Sequence, residues 1–204
     1  MKYQETGFRA LYKNFAAFPL NDRFRKAMEG YPNADDANCM LVYGYIDHEA
    51  GLTLEVLAAG VKREEKFKFF DPSEDTRLFL RVGAVENEEF ALFDDSDNSL
   101  RNRYARKLEM LDTYNTDEEI EKTREMRFLD DCRHPHYPDD VRVYLMRDGL
   151  NPELCWSRII GLGEHWIMGV LLNEPNQNFD YHQGEKIAFF VEKTEDEKII
   201  CYSD

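Results

Sequence analysis

The chain has 204 residues, 43% hydrophobic and 13% aromatic, with 41 acidic against 26 basic side chains and a formal net charge of −15. That apolar content excludes global disorder, and the length allows one large domain or two small ones. The charge opposes nucleic-acid phosphates and anionic membrane surfaces and attracts a basic protein, so the expected partner is a protein, with no nucleic acid and no membrane.

No apolar run approaches the roughly 18 residues needed to cross a bilayer. Met1-Lys-Tyr-Gln-Glu-Thr-Gly7 has no apolar signal-peptide core, so a cytoplasmic location is expected. The four cysteines, Cys39, Cys132, Cys155 and Cys201, are widely spaced and read as buried thiols in a reducing compartment. Residues 1–135 hold 28 acids and 20 bases, net −8, and residues 136–204 hold 13 and 6, net −7. The shorter segment is therefore the more acidic per residue.

In chain order, Phe8, Leu11, Tyr12 and Phe15 fall at helical spacing and predict a first helix that Pro19 interrupts. Asn21 is the expected N-cap of a second, with Phe24, Ala27, Met28 and Tyr31 on one face and Gly30 and Pro32 ending it. From Cys39 the period changes to two. Cys39–Ile46, the turn Asp47–Gly51 and the alternation of Leu52, Leu54 and Val56 predict a hairpin with one buried face. Further strands are expected at Phe67–Phe69, Leu78–Val82 and Phe90–Leu92, up to the acidic run Asp94–Asn98. A helix with Leu100, Tyr104, Leu108 and Leu111 on one stripe follows. Thr116-Asp-Glu-Glu119 reads as a capping box opening a helix to about Asp130, exposed and bridging two halves. Beyond it, strands are expected at Val141–Leu145, Leu154–Ile160 and His165–Leu172, the last two around a Gly161-Leu-Gly163 turn. A final hairpin joins Glu185–Val191 to Lys198–Tyr202. The expected class is α+β, mainly antiparallel sheets with N-terminal helices and a central helical bridge. An N-terminal α+β domain over 1–133 and a C-terminal β-rich domain over 134–204 are expected.

Three features of residues 139–204 carry a resemblance: Trp156 with Arg158-Ile159, the strand Gly169-Val-Leu-Leu-Asn-Glu-Pro175, and Gly184-Glu185 opening another strand. The segment resembles an uncharacterised family of small bacterial domains, some of which look like immunity proteins of polymorphic toxin systems. It departs from that pattern by ending Cys201-Tyr-Ser-Asp without a closing Asp-Trp. The resemblance implies a binding role and brings no catalytic residues.

Cys132-Arg-His134-Pro-His136 is the one ligand-like cluster. In an extended segment held by Pro135 and Pro138, residues 132, 134 and 136 share a side and could face one zinc ion, with Asp139, His165 or His182 as a fourth ligand. Ser157 lies in no Gly-x-Ser-x-Gly elbow, and Gly161-Leu-Gly163 lacks the helix and lysine of a phosphate loop. Trp156, Trp166, Asn173 and Glu174 are the expected recognition surface, aromatic anchors beside an acid that suit a basic partner. The leading reading is a non-enzymatic, acidic protein-binding protein without a cofactor, of the kind an immunity protein that neutralises a basic toxin would be. The alternatives are a metal-dependent hydrolase using zinc on Cys132, His134 and His136, and an accessory module of a larger assembly.

Overall fold

The computed structural model describes residues 1–71 and 76–203. The fold is α+β, and the chain divides into two compact units, Met1–Asn115 and Thr116–Asp204. The division falls ahead of the expected 133/134 boundary because the helical segment after Thr116 packs on the second unit's own barrel.

The first unit opens with α1 (Tyr3–Thr6) and a 3-10 turn (Phe8–Ala10), then β1 (Phe15–Pro19) and α2 (Asp22–Ala27). The expected helix through Phe15 therefore does not form. Asn14 donates from its side-chain amide to the carbonyls of Arg9 and Ala10, stopping the helical turn, and Lys13 takes a positive φ. Phe15 then starts a strand between two others, opposite Tyr43 on one side and Phe93 on the other. Phe8 and Leu11 pack on one face of the sheet and Phe15 on the other, so the apparent stripe serves two cores. The second helix forms as expected, with the Asn21 side chain accepting from the Phe24 amide at 2.9 Å.

β2 (Cys39–Asp47) and β3 (Gly51–Arg63) form the central hairpin, β4 (Lys66–Phe69) and β5 (Phe79–Arg81) pair with β3, and β6 (Ala91–Phe93) pairs with β1. The main order is β4-β3-β2-β1-β6, and these pairs are antiparallel. The hairpin buries both faces, not one. Leu11, Phe24, Met28, Met40, Val42 and Leu54 share the first core. Phe15, Leu41, Tyr43, Tyr45 and Leu57 share the second with Tyr104 and Leu111. The polar alternation is absorbed by specific partners: buried Glu55 accepts from Arg77 at 3.3 and 3.1 Å.

The expected helix over residues 100–111 is two short ones, α3 (Ser99–Arg103) and α4 (Ala105–Glu109), broken at Tyr104. The break lets buried Lys107 donate to the Tyr31 hydroxyl and the carbonyls of Val56 and Thr76, each at 3.0–3.1 Å. At the far edges of the sheet, Phe67 and Phe69 of β4 meet Phe93 of β6 edge-on at 5.1 and 5.4 Å. Strands at opposite ends of the order touch through rings, so the sheet is strongly curled.

The second unit begins with α5 (Glu118–Glu125) and a 3-10 segment (Arg127–Cys132). Asp117 is the N-cap, and the Thr116 hydroxyl donates to Glu121. The segment is no exposed bridge. Ile120, Thr123 and Arg124 are buried, and Leu129 and Cys132 belong to the barrel core. The barrel contains β7 (Asp140–Leu145), β8 (Glu153–Leu162), β9 (Ile167–Leu171), β10 (Lys186–Lys193) and β11 (Ile199–Ser203), closed in the order β10-β11-β7-β8-β9. Five strands running alternately up and down put the first and last in the same direction, so the closing pair, β11 with β7, is parallel. Val141, Val143, Cys155, Ile159, Leu171, Ile187 and Phe189 point inward. The β8–β9 turn lies at Gly163–Trp166, later than expected, because Gly161 and Leu162 stay in β8 beyond a bulge that follows Ile159.

Candidate functional site

The expected zinc cluster does not assemble. Cys132 ends a 3-10 segment rather than starting an extended run, so the alternation of residues 132, 134 and 136 is lost. Its thiol turns into the barrel, 3.4 Å from the Ile199 carbonyl and hydrogen-bonded to Cys201. That bond and the nearby Arg142 guanidinium hold the Cys132 thiol below its ordinary value, while the same bond and burial push Cys201 up. His134 faces elsewhere, packed edge-on against Trp156 at 5.1 Å and Tyr137 at 5.0 Å, and its Nδ1 accepts from the His136 amide. Asp139, a candidate fourth ligand, is bound bidentately to Arg124, His165 is exposed in the β8–β9 turn, and His182 pairs with Glu174. Among the described residues, no three His, Cys, Asp or Glu side chains are grouped to hold a metal ion.

The expected recognition residues fall into three places. Trp156 is half-buried on the outer face of β8, and its amide donates to the Asn173 side chain at 2.7 Å, so Asn173 pins the strand rather than facing solvent. Trp166 lies at the opposite end of the β8–β9 hairpin, against the Gly163 backbone. Six residues of strand at ~3.3 Å each separate the two tryptophan positions by roughly 20 Å. Glu174 is exposed, accepting from the Gln183 amide at 2.8 Å and lying 2.7 Å from His182 Nδ1. The Gln183 amide and then His182 hold its carboxyl below the usual range, and Glu174 in turn raises His182. What the fold does bring together is Trp156, His134 and Tyr137.

A second feature was missed in the sequence. Phe190, Tyr202, Tyr144 and Leu154 stand directly opposite one another across β10, β11, β7 and β8 on the barrel's outer face. Leu154 and the neighbouring Met146 are 43% and 36% exposed, where a solvated face would carry polar groups. The signal was present: Lys186-Ile-Ala-Phe-Phe-Val191 and Ile199-Ile-Cys-Tyr202 are apolar at both parities, more than one buried face needs. The unit carrying this row holds 20 acids and 10 bases, net −10, against 21 and 16, net −5, for the first unit.

No helix of the described residues is long and apolar enough to cross a membrane. No protein-family model, curated protein or solved structure matches the chain.

Proposed function

We propose that the second unit is a protein-docking module for a basic protein partner, the role an immunity protein plays toward a cationic toxin domain. The observation that supports it is the outer row Phe190–Tyr202–Tyr144–Leu154 on a unit of net charge −10. Aromatic side chains on rigid strands supply contact area at little entropic cost, and the surrounding field steers a positive partner toward them. The Trp156–His134–Tyr137 corner would extend the same contact, since Trp156 lies two residues along β8 from Leu154. Asn173 and Glu174 act beneath it, holding the strand and the loop after β9.

The test is affinity capture by the immobilised chain from the host's own extract, at low and at high salt, beside a Tyr144→Ser/Tyr202→Ser variant. A basic protein held at low salt, released as salt rises and lost by the variant supports the reading. Capture that ignores both salt and the variant ends it. Whether the captured protein is toxic without this chain separates the immunity role from that of an accessory module.

A further inference from the structure

The first unit contains a cleft that the docking role does not use. Residues in register across the curled sheet create it: Pro19 of β1 faces Cys39 of β2, Cys39 faces Gly60 of β3, and Gly60 faces Phe69 of β4. On the other side Ala17 faces Ala91 of β6. At one end of this face Phe15, Leu41, Tyr43 and Tyr45 are covered by Tyr104 and Leu111. At the other end Ala17, Pro19, Cys39, Gly60 and Ala91 are small, leaving a cleft of about 410 Å³. That lies within the roughly 300–1,000 Å³ that encloses small ligands, and the mouth of a curled sheet is a usual place for one.

The walls are mostly apolar, from Ala17, Pro19, Phe67, Phe90 and Ala91. Gly60 is part of the construction, since a Cβ there would lie 2.6 Å from the Phe69 ring and 3.0 Å from the Lys68 carbonyl. Lys62 supplies one positive charge at the rim, its ammonium 5.3 Å from the centre of the Phe67 ring, and the Met1 ammonium, donating to the Phe90 carbonyl at 3.4 Å, lies at the same cleft. Its backbone is fixed from both sides by Asn38, whose side chain accepts from the Lys62 amide at 2.7 Å and donates to its carbonyl at 3.0 Å. Burial raises the Cys39 thiol on the floor to about 11, and the Lys62 ammonium pulls it partly back. Glu89 also lines the cleft.

We infer that this cleft binds a small amphipathic monocarboxylate, its apolar body against Ala17, Ala91 and Phe67 and its carboxylate at Lys62. The charge complementarity selects one anionic group. A second carboxylate would be repelled by Glu89, and a neutral head group would lose the attraction of Lys62.

The probe is octanoate, titrated into the full chain with backbone amide chemical shifts as the readout, beside octanol and the dicarboxylate suberate. Saturable shifts at Ala17, Asn38, Lys62, Phe67 and Ala91 are expected, with octanoate binding more tightly than either analogue. Lys62→Met, on an exposed side chain, should weaken octanoate several-fold and leave octanol unchanged. Ala91→Leu should fill the cleft and abolish binding of both, with shifts elsewhere preserved. Shifts that are absent or spread over the surface overturn the site. Octanol binding as tightly as octanoate, or octanoate insensitive to Lys62→Met, overturns the anion assignment even if Ala91→Leu fails to fold. None of these outcomes depends on the barrel's partner.

Discussion

Arg124 is nearly inaccessible, and its guanidinium is shared by two carboxylates: Asp139 accepts from Nε and Nη2 at 2.9 and 2.6 Å, and Glu121 from Nη1 at 2.7 Å. A planar fork with matched acceptors is what makes a charge tolerable in such a place. Arg124→Met leaves Asp139 charged and buried, and should cost roughly 3–5 kcal/mol in denaturant unfolding. Arg124→Lys should recover little, because an ammonium cannot span both Asp139 oxygens. Two histidines offer a contrasting pair. His182 is raised by Glu174, so its contribution is full below the ordinary value near 6.5 and is lost as pH rises through the folded value. His134 is lowered by burial and by His136, so folding favours its neutral form. Its contribution is full above about 6.5 and fades as pH falls toward the folded value. Titration of the ring resonances should show His182 above and His134 below an ordinary histidine, and Glu174→Gln should return His182 alone toward the ordinary value.

Among the elements, Gly44 shows how close two segments can come. A Cβ there would fall 2.0 Å from the Leu11 carbonyl oxygen, and the Lys13 amide donates to the Gly44 carbonyl at 2.8 Å. The obstacle is backbone, which cannot rotate away. Gly44→Ala should therefore destabilise the first unit by about 3 kcal/mol or more in denaturant unfolding. The same crossing explains what the sequence hid. Helical spacing at Phe8, Leu11, Tyr12 and Phe15 is real, but the turn at Lys13 and Asn14 sends Phe15 to the other face of the sheet. Local periodicity cannot register a long-range strand partner. The strands from Cys39 to Phe69 and the five of the barrel were legible because two-residue alternation is a local signal. The zinc alternative was misleading for a related reason: it assumed an extended chain at Cys132, where tertiary packing imposes a 3-10 end. The outer barrel row was visible only as excess apolarity, since register across four strands is not written in any one of them.

At the scale of the whole molecule, each unit has its own core. A fragment of residues 116–204 should accordingly fold alone, giving dispersed amide resonances and a cooperative melt. A fragment starting at 134, the boundary expected from the order of predicted elements, should be markedly less stable or unfolded. It lacks Leu129 and Cys132 from the core, and it leaves Asp139 without Arg124.

The parallel seam between β7 and β11 is short, matching Tyr144 with Tyr202 and Leu145 with Ser203. The earliest strand of the barrel must therefore wait, with one margin bare, until the latest has emerged from the ribosome. During that interval the nascent sheet offers a ready edge to any neighbouring extended chain, and synthesis rate rather than equilibrium stability governs how long the exposure lasts.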